Sequence, residues 1–295
     1  MSQLYWHRGK ATPDFRKKGL SDFTLDANKL LQFDCDCCST TLEHPFLSEN
    51  WPTIVEDLDR QLADKPHNWG AGQTLVYSEL TEGFSPHLVK QGITNKCLRM
   101  VLDRTQFRIR ILTKNGVVGA SKWIEFFKKY PGRVIVGLSL VDRWTKPLRG
   151  TSPKSSRLQA LHRLQEAGVP TFGLLCPIFP DVLIGEQLDR LVDAAQPMVV
   201  EELWAEPFND LAAWKEFYGL EHRHRLSRYS ADLYVRLRDK ADREGWLNKL
   251  HYILYDDQIL SKDAGQFTGL VGVALQSEPG RDGRSANPAI AALQV

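Results

Sequence analysis

The feature that most constrains this chain is an alternation of short β-rich runs and helical runs between Gln73 and Val200. The β-rich runs are Gln73–Tyr77, Phe107–Leu112, Arg133–Leu140, Pro170–Leu175 and Met198–Val200. Arg133–Leu140 is apolar almost throughout, as a strand covered on both faces by helices must be. Between the runs, Leu88, Val89, Ile93, Cys97, Leu98 and Val101 fit one helical face. A helix over Ala120–Tyr130 is stopped by Pro131-Gly132, and one opened by Ser152-Pro153 carries Leu158, Leu161, Leu164 and Ala167 before Gly168. A further helix spans Glu186–Ala194, and an earlier one over 51–64 places Ile54, Leu58 and Leu62 on one stripe. Repeated strand–helix units with short connections require parallel strands and right-handed crossovers, either an open α/β sheet or a barrel.

In both architectures ligands collect at the carboxyl ends of the strands. Each run is followed by a polar or punctuating patch there: Ser78–Ser85, Thr113–Gly116, Ser139 leading to Asp142 and Arg143, Cys176–Asp181, and Glu201–Asp210. Five such patches on one edge make that edge the expected functional face.

The ends of the chain differ in character. Residues 1–22 are polar and basic and read as an arm; Asp22–Asp26 is a short extended piece. From about Trp214 the sequence becomes helical and charged, so that 220–275 reads as a mainly helical extension and 276–295 as a flexible tail. Glu221–Arg225 and Arg228 form a basic knot, a solvated helix face or a phosphate contact. A net charge of +2 imposes no general demand for nucleic acid or an anionic membrane. No apolar run approaches the length of a membrane span, and the crowded cysteines do not resemble a disulfide framework, so a reducing cytoplasm is the expected setting.

Three of the five cysteines lie within Phe33-Asp34-Cys35-Asp36-Cys37-Cys38. Thiolates this close repel unless a metal takes their charge, and soft sulfur ligands suit zinc, copper(I) or an iron–sulfur cluster. Reduced thiols on a turn are the alternative. A zinc site would draw its fourth ligand from His44 or Asp34.

The order of motifs carries a family resemblance. A cysteine loop is followed by a strand ending in Thr-Glu-Gly-Phe-Ser and by Ile111-Leu112-Thr113-Lys114. Then come Gly137-Leu138-Ser139, a Ser-Pro helix, and Glu166-Ala167-Gly168-Val169-Pro170. Pro177-Ile178-Phe179-Pro180 and Trp204-Ala205-Glu206-Pro207 complete the series. Over roughly residues 20–215 this resembles the radical SAM superfamily, in the branch related to spore photoproduct lyase.

The resemblance implies a partial (β/α)6 barrel over 23–219. It implies a [4Fe-4S] cluster and S-adenosylmethionine, whose reductive cleavage gives a 5′-deoxyadenosyl radical that abstracts hydrogen from a substrate. Cys35, Cys37 and Cys38 are the metal candidates. The family's loop is C-x3-C-x2-C, and here the first cysteine would fall on Leu31, which cannot ligate iron. Glu79 or Glu82 is the candidate to hold the cofactor's ammonium, Lys114 to meet its carboxylate or a substrate anion, and Ser139 to bond the ribose. Cys176, at a strand's carboxyl end, is the candidate catalytic thiol, whereas Cys97 reads as core. Nucleic acid is the substrate class suggested by the branch, and an electron donor is the implied partner. A cluster-less barrel acting as a binding or regulatory protein, and a zinc protein, are the alternatives.

Overall fold

The computed structural model describes residues 20–27, 53–79, 81–141, 151–180, 185–209, 214–215, 222–255, 258–267 and 270–275. Leu31, Asp34, Cys35, Cys37, Cys38, His44, Asp142, Arg143, most of the N-terminal arm and the tail from 276 lie outside the described residues. Contacts divide the chain into two units, 1–172 and 173–295.

In the first unit, four parallel strands pair in chain order: β1 (Phe23–Leu25), β2 (Thr74–Tyr77), β3 (Arg108–Thr113) and β4 (Val134–Ser139). Leu25 lies opposite Tyr77, Tyr77 opposite Ile111, and Ile111 opposite Val136. The carboxyl ends of β2, β3 and β4 therefore stand side by side. The helices are α1 (Ile54–Ala63), α2 (Pro86–Lys90), α3 (Ile93–Arg104), α4 (Ser121–Lys128) and α5 (Lys154–Glu166). Leu25, Leu75, Ile109, Ile111, Val136 and Leu138 are fully buried, each contributing roughly 1.5–3 kcal/mol of transfer free energy.

The helical run around 88–101 forms two helices instead of one. Gly92 adopts φ 74°, a left-handed conformation that ends α2 and starts α3 in a new direction. On α5 the buried stripe is Arg157, Ala160, Leu161 and Leu164, whereas Leu158 is only half-buried. Arg157 and Leu161 are one turn apart, so the helix presents the arginine inward and rotates Leu158 away.

The second unit begins within β5 (Thr171–Ile178) and continues with α6 (Glu186–Ala194), β6 (Glu202–Pro207), α7 (His222–Glu244), β7 (Leu250–Tyr255), α8 (Ser261–Ala264) and β8 (Gly272–Leu275). β6, β7 and β8 pair in parallel, with Ala205 opposite Tyr252 and Tyr252 opposite Gly272. Beneath α7, Tyr234, Tyr252 and Phe267 form an aromatic cluster with ring centroids 5.2–6.5 Å apart. The region after 220 thus carries a long helix and two further strands. The fold class is the expected one, an α/β partial barrel in which strands alternate with helices and pair in parallel.

The strand expected at Met198–Val200 is a turn. The backbone N–H groups of Val199 and Val200 both donate to the Gln196 carbonyl, and Met198 and Val199 are 62% and 54% exposed. Of the three apolar residues only Val200 is buried, so the β propensity of Met198 and Val199 had no face to cover. The strand forms four residues later, where Leu203, Trp204 and Ala205 are buried.

Candidate active site

The carboxyl ends of β2 and β3 are tied together through Glu82. This residue is 1% exposed. One carboxylate oxygen, Oε1, accepts from the Phe84 backbone N–H at 2.8 Å and the Thr113 hydroxyl at 2.6 Å; Oε2 accepts from the Lys114 backbone N–H at 2.9 Å. Burial raises the Glu82 carboxyl above its ordinary range, and the Thr113 hydroxyl, the two backbone amides and the Lys114 charge pull it back. Thr113 relays the contact: its hydroxyl oxygen accepts from the Asn115 N–H at 2.9 Å. Ser152, just before α5, donates its hydroxyl to Asn115 Oδ1 at 3.3 Å and its N–H to the Lys114 carbonyl at 3.0 Å. The loops after β2 and β3 and the entry to α5 therefore form one hydrogen-bonded assembly.

Close backbone approach seals it. A Cβ on Gly116 would lie 2.8 Å from the Ser156 carbonyl oxygen, and one on Gly119 would lie 2.5 Å from Ala160 Cα. Only hydrogen at these positions lets the 116–119 turn rest on α5.

Ser139 ends β4 and is 3% exposed. Its carbonyl accepts from the fully buried Arg157 guanidinium, while its hydroxyl has no hydrogen-bond partner among the described residues. A buried orphaned hydroxyl invites a ligand's polar atom. Glu79, two residues past β2, is 8% exposed, and Lys114 is half-buried. The four residues Glu79, Glu82, Lys114 and Ser139 thus stand at the ends of three adjacent strands, with Glu82 and Lys114 in direct contact.

Two layers below Ser139 on β4, Gly137 makes room for an aromatic ring. A Cβ there would sit 2.0 Å from Phe172 Cζ. The Arg110 guanidinium lies over the same ring, 4.7 Å from its centroid.

The second unit holds its own polar centre. The Cys176 thiol donates to Glu206 Oε2 at 2.8 Å, and the Asn209 amide donates to Oε1 at 2.7 Å. Glu206 is 7% exposed on β6, and Cys176 is half-buried on β5. The Gln258 amide donates to the Asn209 carbonyl at 3.0 Å, and the Tyr229 hydroxyl to the Ile178 carbonyl at 2.8 Å. Cys97 is buried on α3, as expected for core.

Among the described residues no group of three or more His, Cys, Asp or Glu side chains is placed to hold a metal ion. The cysteine loop falls outside them. The fit to S-adenosylmethionine can be tested at the strand ends: an acidic side chain, a lysine and an orphaned hydroxyl suit a ligand with an ammonium, a carboxylate and a ribose.

No family model matches the sequence, and no curated protein matches it either. Solved structures do. SuiB of Streptococcus suis shares 15% identity at TM-score 0.51, over 78% of this chain and 48% of that one. The enzyme anSMEcpe with bound AdoMet shares 14% identity at TM-score 0.50, over 76% and 60%. The fold is that of the radical SAM enzymes. Spore photoproduct lyase complexed with dinucleoside spore photoproduct also matches, at 17% identity and TM-score 0.45. That match covers 67% of this chain, which spans 57% of the lyase chain.

The resemblance put forward Glu79, Glu82, Lys114 and Ser139, and Cys176 was a candidate from its place on a strand; the buried Arg157 and the Thr113 contact to Glu82 were not anticipated. The available signal for Arg157 was its spacing to Leu161 and Leu164 on α5, which continues an apolar stripe with a charge. Glu206 and Asn209 lay inside the polar patch Glu201–Asp210, but the strand was expected earlier, which hid the carboxylate's place on β6. No helix among the described residues is long and apolar enough to cross a membrane.

Proposed function

We propose that this chain is a radical SAM enzyme that binds S-adenosylmethionine at the carboxyl ends of β2, β3 and β4. The observation that carries the reading is the buried Ser139 hydroxyl, without a partner among the described residues, near the Glu82–Lys114 contact on a radical SAM fold. When bound, a cluster and S-adenosylmethionine supply one-electron cleavage and a hydrogen-abstracting radical. The chain's own residues bind and orient. An acidic side chain after β2 holds the ammonium, Lys114 meets a carboxylate, and Ser139 bonds a ribose oxygen. Burial of Glu82 and Ser139 keeps water away from these contacts. Cys35, Cys37 and Cys38 are the thiolates for the cluster, with Cys37 standing in for the ligand absent at Leu31. The half-buried Cys176, whose thiol donates to Glu206, is the candidate catalytic thiol.

The substrate class proposed is nucleic acid. The branch resemblance supports it, and so do the exposed Arg225 and Arg228 at the start of α7 (the latter ion-paired with Asp232), which offer positive charge to phosphates. A one-electron donor is the implied partner.

Iron, sulfide and zinc content of protein purified without oxygen, read with its visible spectrum, tests the proposal. The expected result is about four irons per chain, with a brown colour lost in Cys35→Ala and Cys38→Ala. A colourless protein with stoichiometric zinc would move the assignment to a zinc site. Protein free of both metals would leave a cluster-less binding protein, the reading favoured by Leu31.

A further inference from the structure

Glu82 follows β2, is 1% exposed and spends both carboxylate oxygens on the chain itself. Oε1 of Glu82 is committed to Phe84 and Thr113, and Oε2 to the backbone of Lys114, at 2.6–2.9 Å. A carboxylate at 1% exposure with three donors already in place is built into the wall of the site. We infer that Glu82 is a positioning residue that acts through Lys114. The inference rests on the reading of these strand ends as an S-adenosylmethionine site.

The physical route is short. Lys114 is the first residue beyond β3, where the ladder no longer directs the chain. Its N–H is held by Glu82 and its carbonyl by the Ser152 N–H, so its backbone is fixed from two sides. That backbone sets the direction in which the lysine side chain leaves the strand. Thr113 adds a second restraint one residue earlier, since its hydroxyl donates to Glu82 and accepts from Asn115. Without the carboxylate, Lys114 keeps its charge and loses its aim.

Glu82→Gln separates the two oxygens. The amide oxygen takes the place of Oε1 and keeps the Phe84 and Thr113 donors, while its NH2 faces the Lys114 N–H, donor against donor. Equilibrium binding of S-adenosylmethionine and of its decarboxylated analogue, to protein purified without oxygen, reads the consequence. Glu82→Gln should weaken S-adenosylmethionine by about tenfold or more. The decarboxylated analogue, which has nothing for Lys114 to hold, should bind the variant within about twofold of wild type. In a Lys114→Met background, adding Glu82→Gln should cost nothing further, because the two residues act as one unit.

An equal penalty for the two ligands, or a penalty that persists in Lys114→Met, overturns the inference. So does unchanged S-adenosylmethionine binding by Lys114→Met alone, which decides the matter even if Glu82→Gln does not fold. Wild-type protein that binds neither ligand overturns the cofactor reading itself, and this inference with it.

Discussion

Gly137→Ala is the substitution whose cost follows most directly from the coordinates. The added Cβ would lie 2.0, 2.2 and 2.4 Å from Cζ, Cε2 and Cε1 of Phe172. Carbon atoms in contact settle near 3.5–4.0 Å, so the ring must retreat by roughly 1.5 Å. It has little room. Phe172 is fully buried, and the Arg110 guanidinium covers it at 4.7 Å. Its strand is anchored next to β4 by the Val136 N–H donating to the Pro170 carbonyl at 2.9 Å. Overpacking of this kind costs roughly 1–3 kcal/mol, and this contact belongs near the upper end. Relief of glycine's unfolded-state entropy returns roughly 0.5–1 kcal/mol. The net expectation is a loss of about 2 kcal/mol, read as a lower urea midpoint with an unchanged m value. Phe172→Leu in the same chain removes the clashing ring atoms, so the double variant should be more stable than the sum of the single changes. Gly137→Ala as stable as wild type to within about 0.5 kcal/mol, or a strictly additive double variant, would refute the packing argument.

Two further expectations concern titration. Burial raises Glu82, so its contribution to stability is present below the unfolded carboxyl pKa and is lost as pH rises through the folded one. The stability of wild type relative to Glu82→Gln, measured by urea unfolding, should therefore decline from roughly pH 4 upward; a gap that grows in favour of wild type contradicts this. Burial also pushes the Cys97 thiol up to about 12. Alkylation of native protein near pH 8, mapped by mass spectrometry, should modify the half-buried Cys176 and spare Cys97 until the chain is denatured. Equal native rates at the two positions would count against the burial.

Residues reveal themselves in sequence when local pattern and tertiary environment agree. Ile109 and Ile111 alternate within β3, Arg133–Leu140 is apolar through β4, and both runs were legible as strands. Met198 and Val199 have strand propensity with no face to bury, and the turn around Gln196 overrides it. Gly92 looks unremarkable in a helical run until its positive φ divides the run in two. At the site, the resemblance named Glu79, Glu82, Lys114 and Ser139, and the fold places all four at or just after strand ends. The contacts of Glu82 with Thr113 and the Lys114 amide were not legible, because they cross a separation of some thirty residues. Arg157 was hidden for a similar reason: its guanidinium donates to a backbone carbonyl on β4, eighteen residues earlier.

The chain of contacts from Glu82 through Thr113, Lys114 and Asn115 to Ser152 has a consequence for how such a protein diversifies. Loops at strand ends are ordinarily exchangeable parts, which lets one scaffold acquire many chemistries. Here three of them share side chains, so grafting any one from a relative would strand its partners. New specificities on this scaffold must arise by replacing the set together, or at strand ends that the set does not bind.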